Sequence, residues 1–139
     1  MNVKFLLPVL AILTLTSANA ADLLMPIKGV YDGDTFYSEL CALPKPLKDV
    51  SIRISGIDTP EIRTTCLSEK SLGYAAKKQL EDLLAGQTEI IVKNVEWDKY
   101  GGRIDGDVYL PDGTSVAVKM IESGLARPYT GGARQSWCE

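Results

Sequence analysis

Five side chains have the types and spacing for hydrolysis of a phosphodiester: the carboxylates of Asp34, Asp58 and Glu61 and the guanidiniums of Arg53 and Arg103. Asp34 stands at the head of a strand pattern, directly after the turn pair Asp32-Gly33. Asp58 and Glu61 flank Thr59-Pro60 in "ISGIDTPEIR", where a strand pattern breaks off. A hard cation such as Ca²⁺ gathers carboxylate and carbonyl oxygens, and Asp34, Asp58 and the Thr59 carbonyl would supply part of its shell. Such an ion polarises a phosphoryl oxygen and holds the attacking water. A carboxylate left off the metal, Glu61, can take the proton from that water. The two arginines can bind the equatorial oxygens in a two-pronged geometry that lysine does not offer.

Each piece has a plainer reading. "DGD" is more often a hairpin turn than a metal site, and a second copy at Asp105-Gly106-Asp107 reads as a solvated strand face. "DTPE" is an acceptable turn, with Pro60 fixing the chain. A lone outward arginine is usually a solvated charge, and "DKYG" at 98–101 is an ordinary turn. The plain account invokes four independent coincidences, and the catalytic one needs a single cause.

Composition narrows the chemistry further. The sequence has no histidine, which removes the commonest general base and the usual zinc and copper ligand sets. Its net charge is −3, so polyanion binding must come from a local cluster of Arg and Lys.

The elements that must position these groups follow from periodicity. "MPIKGVY", "DTFYSEL", "VSIRISGI", "TEIIVKNV" and "RIDGDVYL" read as strands. In the third, Val50, Ile52 and Ile54 alternate with Ser51, Arg53 and Ser55, which turns Arg53 away from the core. Leu72, Ala76, Leu80 and Leu83/Leu84 recur at helical spacing, with Ser68 as the expected N-cap and Gly86 beyond the end. "SVAVKMIESG" reads as a short second helix, capped by Thr114 or Ser115. Three strands, a helix, two strands and a helix, with mostly antiparallel pairing, predict an α+β fold: a five-stranded β-barrel of OB type with one helix inserted after the third strand.

Residues 1–20 have a lysine near the start, an apolar run and Ala18-Asn19-Ala20 at the end, the pattern of a cleavable secretory signal peptide. Residues 21–139 are then the functional domain, expected to be secreted or periplasmic, free of the membrane and monomeric. Export permits disulfides. With three cysteines, Cys41, Cys66 and Cys138, at most one intramolecular bridge can form, and the residues alone leave the pair open.

"DGDT" at 32–35, "IRISGIDTPE" at 52–61, "DKYGGR" at 98–103 and "ESGLARPY" at 122–129 together resemble the staphylococcal (micrococcal) nuclease family. The motifs occur in the family's order and span nearly all of residues 21–139. The resemblance implies an OB-fold and a Ca²⁺-dependent endonuclease that cleaves DNA and RNA to leave 3′-phosphate ends. Position by position it implies Asp34, Asp58 and the Thr59 carbonyl as metal ligands, Glu61 as general base, and Arg53 and Arg103 as phosphate-binding catalytic residues. It further implies Lys99, Tyr100 and Tyr129 as substrate-binding residues. "DKYGGR" carries one more glycine than the family pattern, expected in the turn before Arg103. Cys66 follows Glu61 and Cys138 follows the pocket-side tail, so a Cys66–Cys138 bridge is expected to tie the tail down. The runner-up is a catalytically silent OB-fold nucleic-acid-binding module; an exported protein- or glycan-binding module would leave the acids and arginines without a purpose.

Overall fold

The computed structural model describes residues 21–45 and 47–139. The expected signal peptide, residues 1–20, lies outside the described residues. Among those described, no helix is long and apolar enough to cross a membrane.

The described residues form eight strands and two helices: β1 (Leu23–Pro26), β2 (Gly29–Val30), β3 (Thr35–Glu39), β4 (Asp49–Ile54), β5 (Ile57–Asp58), α1 (Leu67–Leu84), β6 (Glu89–Trp97), β7 (Arg103–Tyr109), α2 (Val116–Glu122) and β8 (Arg127–Pro128). The main sheet has the order β1-β6-β7-β4-β3-β2. Its two edges, β1 and β2, are separated in sequence by Ile27 and Lys28 alone. Those residues bridge the ladders, Ile27 N–H donating to the Thr88 carbonyl and Lys28 N–H to the Tyr37 carbonyl. One extended segment therefore pairs with β6 through its first half and with β3 through its second, and the sheet curls back on itself. The first expected strand is split in two for this reason.

Two further differences from the sequence expectation matter to the site. β4 and β7 pair in parallel, with Arg53 opposite Asp105 and Ser51 opposite Arg103. A parallel pair needs a long crossover, and α1 with β6 supplies it. The segment after β4 turns at Ser55-Gly56 and continues as β5, which pairs with β8 of the tail and sets Asp58 opposite Arg127.

Alternation holds where it was read. Val50, Ile52 and Ile54 of β4 and Ile104 and Val108 of β7 are buried, with Phe36, Ile90 and Val92 from neighbouring strands. α1 covers one mouth of the barrel with Gly73, Ala76, Leu80 and Leu84. Leu72 falls off this stripe and is exposed, because Gly73 is the residue that turns inward. α1 also starts two residues earlier than expected. Cys66 is its N-cap, and the Ser68 hydroxyl donates instead to the Glu139 carbonyl at 3.1 Å. The Ser115 hydroxyl accepts from Val118 N–H at 3.3 Å and caps α2.

Candidate active site

The register of β3, β4 and β7 decides which side chains share a face. Thr35 lies opposite Arg53, Arg53 opposite Asp105, and Arg103 opposite Ser51. Odd-numbered residues of β4 and β7 point out of the barrel, so both arginines stand on one outer face beside Tyr37. That face floors a cavity of about 470 Å³, walled by Tyr31, Asp32, Asp34, Glu61 and Arg134.

Arg103 is set by the β6–β7 turn. Gly101 and Gly102 both have left-handed φ, +74° and +67°, a conformation that costs a side chain but not glycine. The Gly102 carbonyl accepts from Ser51 N–H at 3.0 Å, which fixes the start of β7 on β4. Both glycines lie in the turn, and Arg103 lines the cavity. Its Nη2 donates to Asp98 Oδ2 at 2.6 Å, and its Nε lies 3.4 Å from Asp105 Oδ1. Asp105 is thus half-buried against Arg103, not the solvated strand charge expected from the alternation. Asp98 also accepts from Tyr100 N–H at 2.9 Å, the chief cause of its lowered pKa, with Arg103 second. Arg53 is held more loosely, its Nη2 at 3.5 Å from Asp34 Oδ2 and 3.4 Å from the Ile57 carbonyl.

The acids cluster at the end of the same face. Asp34 is buried, its Oδ1 accepting from the Thr35 hydroxyl at 2.8 Å, and its carbonyl accepts from Ile54 N–H. Asp32 Oδ1 accepts from Asp34 N–H at 3.2 Å. Burial, and then the neighbouring Asp34 charge, push the Asp32 carboxyl up to about 6. Asp58 and Thr59 are 3% and 2% exposed, which is unusual for such polar residues and demands partners.

The tail supplies them. Asp58 Oδ2 accepts from the Trp137 indole N–H at 2.9 Å, and Arg134 Nε is in charge contact with Asp58 Oδ1. Arg134 Nη1 donates to Glu61 Oε1 at 2.5 Å and its Nη2 to the Thr59 carbonyl at 3.0 Å. Asp58 Oδ1 is fully buried without a well-directed hydrogen bond, because the contact from Nε is close but misaligned. A Cys66–Cys138 disulfide anchors the tail, and Arg127 stacks on Trp137 at 3.7 Å.

α1 positions Glu61 from the other side. Glu61 N–H donates to Glu69 Oε1 at 3.2 Å, and the Thr64 hydroxyl donates to Glu69 Oε2 at 3.0 Å. Gly73 lets the helix lie against the backbone of Glu61: a Cβ there would come within 2.8 Å of the Glu61 carbonyl oxygen.

Among the described residues, no three acidic, His or Cys side chains converge closely enough to hold a metal by themselves. Two buried carboxylates, Asp34 and Asp58, the second with an oxygen that no hydrogen bond satisfies, and the carbonyl of buried Thr59 do fit the donor chemistry of a hard cation.

Asp34, Arg53, Glu61 and Arg103 thus meet at one cavity, with Asp58 and Thr59 joined to it through Arg134. Lys99, Tyr100 and Tyr129 do not line that cavity. Tyr100 is 80% exposed on the β6–β7 turn, with the Lys99 ammonium 4.9 Å from its ring centre. Tyr129 lines a separate depression beside Asp58, and its hydroxyl donates to the Gly132 carbonyl at 2.7 Å.

Sequence reasoning passed over Arg134 and Trp137, which lie in a glycine-rich stretch without periodicity. The usable signal was composition: "ARQSWC" puts a guanidinium, an indole and a cysteine together in an otherwise small, polar tail.

Two comparisons bear on this arrangement. The family model described as "Staphylococcal nuclease homologue" matches residues 51–136. Proteins described as "Uncharacterized endonuclease" from Escherichia coli and from Escherichia coli O157:H7 are 34% and 33% identical over 109 residues, 78% of this chain. The chain spans 63% of the length of each of those relatives. The matched region runs from β4 to the tail and takes in Arg53, Asp58, Glu61, Arg103 and Arg134. On its sequence and on the family match, the chain belongs to the staphylococcal nuclease homologue family.

Proposed function

We propose that this protein is an exported, calcium-dependent endonuclease that hydrolyses DNA and RNA to 3′-phosphate ends, working as a monomeric five-stranded OB-fold domain over residues 21–139. One observation carries the reading: Arg53, Arg103 and Glu61 share a cavity of about 470 Å³ with Asp34. The signal-peptide pattern of residues 1–20 supports export to the periplasm or beyond.

Each residue then has a task. Arg53 and Arg103 take the non-bridging oxygens of the scissile phosphate, where charge rises in the transition state. Glu61, half-exposed and held by the loop that Glu69 ties down, accepts a proton from the water that attacks phosphorus. The P–O5′ bond breaks, and the 5′ oxygen leaves as a hydroxyl after taking up a proton. Asp34, Asp58 and the Thr59 carbonyl would hold a calcium ion, whose charge offsets the negative charge accumulating on the phosphate. Asp98 and Asp105 position Arg103 and do not touch the substrate. Lys99, Tyr100 and Tyr129 retain a role only along a longer substrate, outside the reaction cavity.

The test is incubation of the purified protein with single-stranded DNA, duplex DNA and RNA in excess Ca²⁺ and in chelator. Cleavage confined to Ca²⁺, with 3′-phosphate ends, is expected. Undiminished cleavage in chelator, or 5′-phosphate ends, would refute this mechanism. A second reading, nucleic-acid binding without cleavage, is favoured by one contact, the Arg134 guanidinium on Asp58 and Thr59. It calls for retention of oligonucleotides with no turnover in any divalent ion.

A further inference from the structure

Among the described residues, Arg134 is the one cationic group at the cavity that the reaction outlined above does not use. Its guanidinium reaches Asp58 through Nε, Glu61 through Nη1 and the Thr59 carbonyl through Nη2. It thereby covers two of the three ligands assigned to calcium, and the general base as well. A guanidinium stays protonated at any pH the fold survives, so it cannot vacate these oxygens by losing charge. Burial works against its charge, yet Glu61 and Asp58 hold its pKa above the usual value. A divalent ion sharing the same oxygens would face a fixed positive charge at contact distance in a partly buried site, where screening is weak.

Given the calcium-dependent reading above, we propose that Arg134 is an internal counterion that sets the site's affinity for its cation. It neutralises Asp58 and Glu61 when the cation is absent, and it must leave the Asp58 and Thr59 oxygens when the cation binds. The local chain permits both states. Arg134 sits beyond β8 in a segment without helix or strand, after Gly131 and Gly132 with left-handed φ. The segment's end is held independently, by the Cys66–Cys138 disulfide and by the Trp137 bond to Asp58. The guanidinium can therefore move while the tail stays docked. It already lines the cavity with Arg53 and Arg103, so leaving the acids keeps it beside the substrate phosphate.

The experiment is calcium titration by calorimetry of the parent, Arg134→Gln and Arg134→Lys, with DNA cleavage measured on the same samples. Arg134→Gln is expected to bind Ca²⁺ roughly tenfold or more tightly than the parent, because a like charge beside the ion is gone. Arg134→Lys, which keeps the charge but not the three-way reach, is expected to fall between them. A Gln variant with unchanged or weaker affinity would overturn the inference. In the parent, the Arg134 side-chain ¹⁵Nε resonance is expected to shift as Ca²⁺ saturates. An unmoved resonance at saturation would overturn it even if the variants failed to fold. If the parent binds and cleaves with Ca²⁺ while Arg134→Gln matches it, only the role of Arg134 falls. If neither parent nor variant binds Ca²⁺ and the parent does not cleave, the calcium reading falls with it.

Discussion

Gly73→Ala isolates the link between α1 and Glu61. In an open helix this change is favourable by about 1 kcal/mol, because alanine has the higher helix propensity. Here the added Cβ would stand 2.8 Å from the Glu61 carbonyl oxygen, 2.9 Å from its carbonyl carbon and 3.0 Å from Ile62 N, all backbone atoms. Relief to an ordinary contact moves helix or loop by about 0.6 Å, and overpacking of this kind costs roughly 1–3 kcal/mol. The two effects leave a net destabilisation of about 1 kcal/mol, read by urea unfolding. The larger effect is on catalysis. Misplacing a reacting group by about 1 Å costs on the order of a hundredfold, so kcat should fall about 10- to 100-fold with KM little changed. Ser71→Ala, on the exposed side of the same helix, serves as the control and should gain stability with full activity. A Gly73→Ala protein more stable than its parent and equally active would refute the claim that this contact positions Glu61.

Three shorter expectations accompany it. The Cys66–Cys138 bridge closes a loop of 72 residues, so the double Cys→Ser protein should lose up to about 4 kcal/mol in denaturant unfolding, and an unchanged midpoint would contradict a structural role. Arg103→Lys keeps the charge but not the fork between Asp98 and the cavity; kcat/KM on oligonucleotides should fall about 100-fold, and near-parental activity would place the phosphate elsewhere. Trp137→Phe leaves Asp58 Oδ2 without its indole donor and should cost about 1–3 kcal/mol in unfolding, whereas a neutral result would mean another donor takes its place.

The strands were legible because alternation with one buried face leaves a clean period of two, as in Val50, Ile52 and Ile54. The placement of the two cavity arginines was legible for the same reason: parity put Arg53 and Arg103 outside the barrel. Partner choice was not. Nothing local in "VSIRISGI" or "RIDGDVYL" says that β4 and β7 run parallel, since that pairing is made across a crossover through α1 and β6. The place of Gly73 was not legible, because its reason, the Glu61 backbone, comes from another element. Arg134 and Trp137 were hidden differently. They act from a stretch without regular structure, where a disulfide and contacts to Asp58, not periodicity, supply the order.

The most direct test of the whole account is the turnover of Glu61→Gln against its parent on a DNA oligonucleotide at saturating Ca²⁺, with calcium affinity measured on both. Glutamine keeps the size of the side chain and an acceptor for Arg134 but cannot take a proton from water. The account requires kcat to fall about 100-fold or more while the protein still binds Ca²⁺ and DNA. Full turnover by Glu61→Gln would contradict it, and the proton-accepting group would have to be sought elsewhere on the cavity wall.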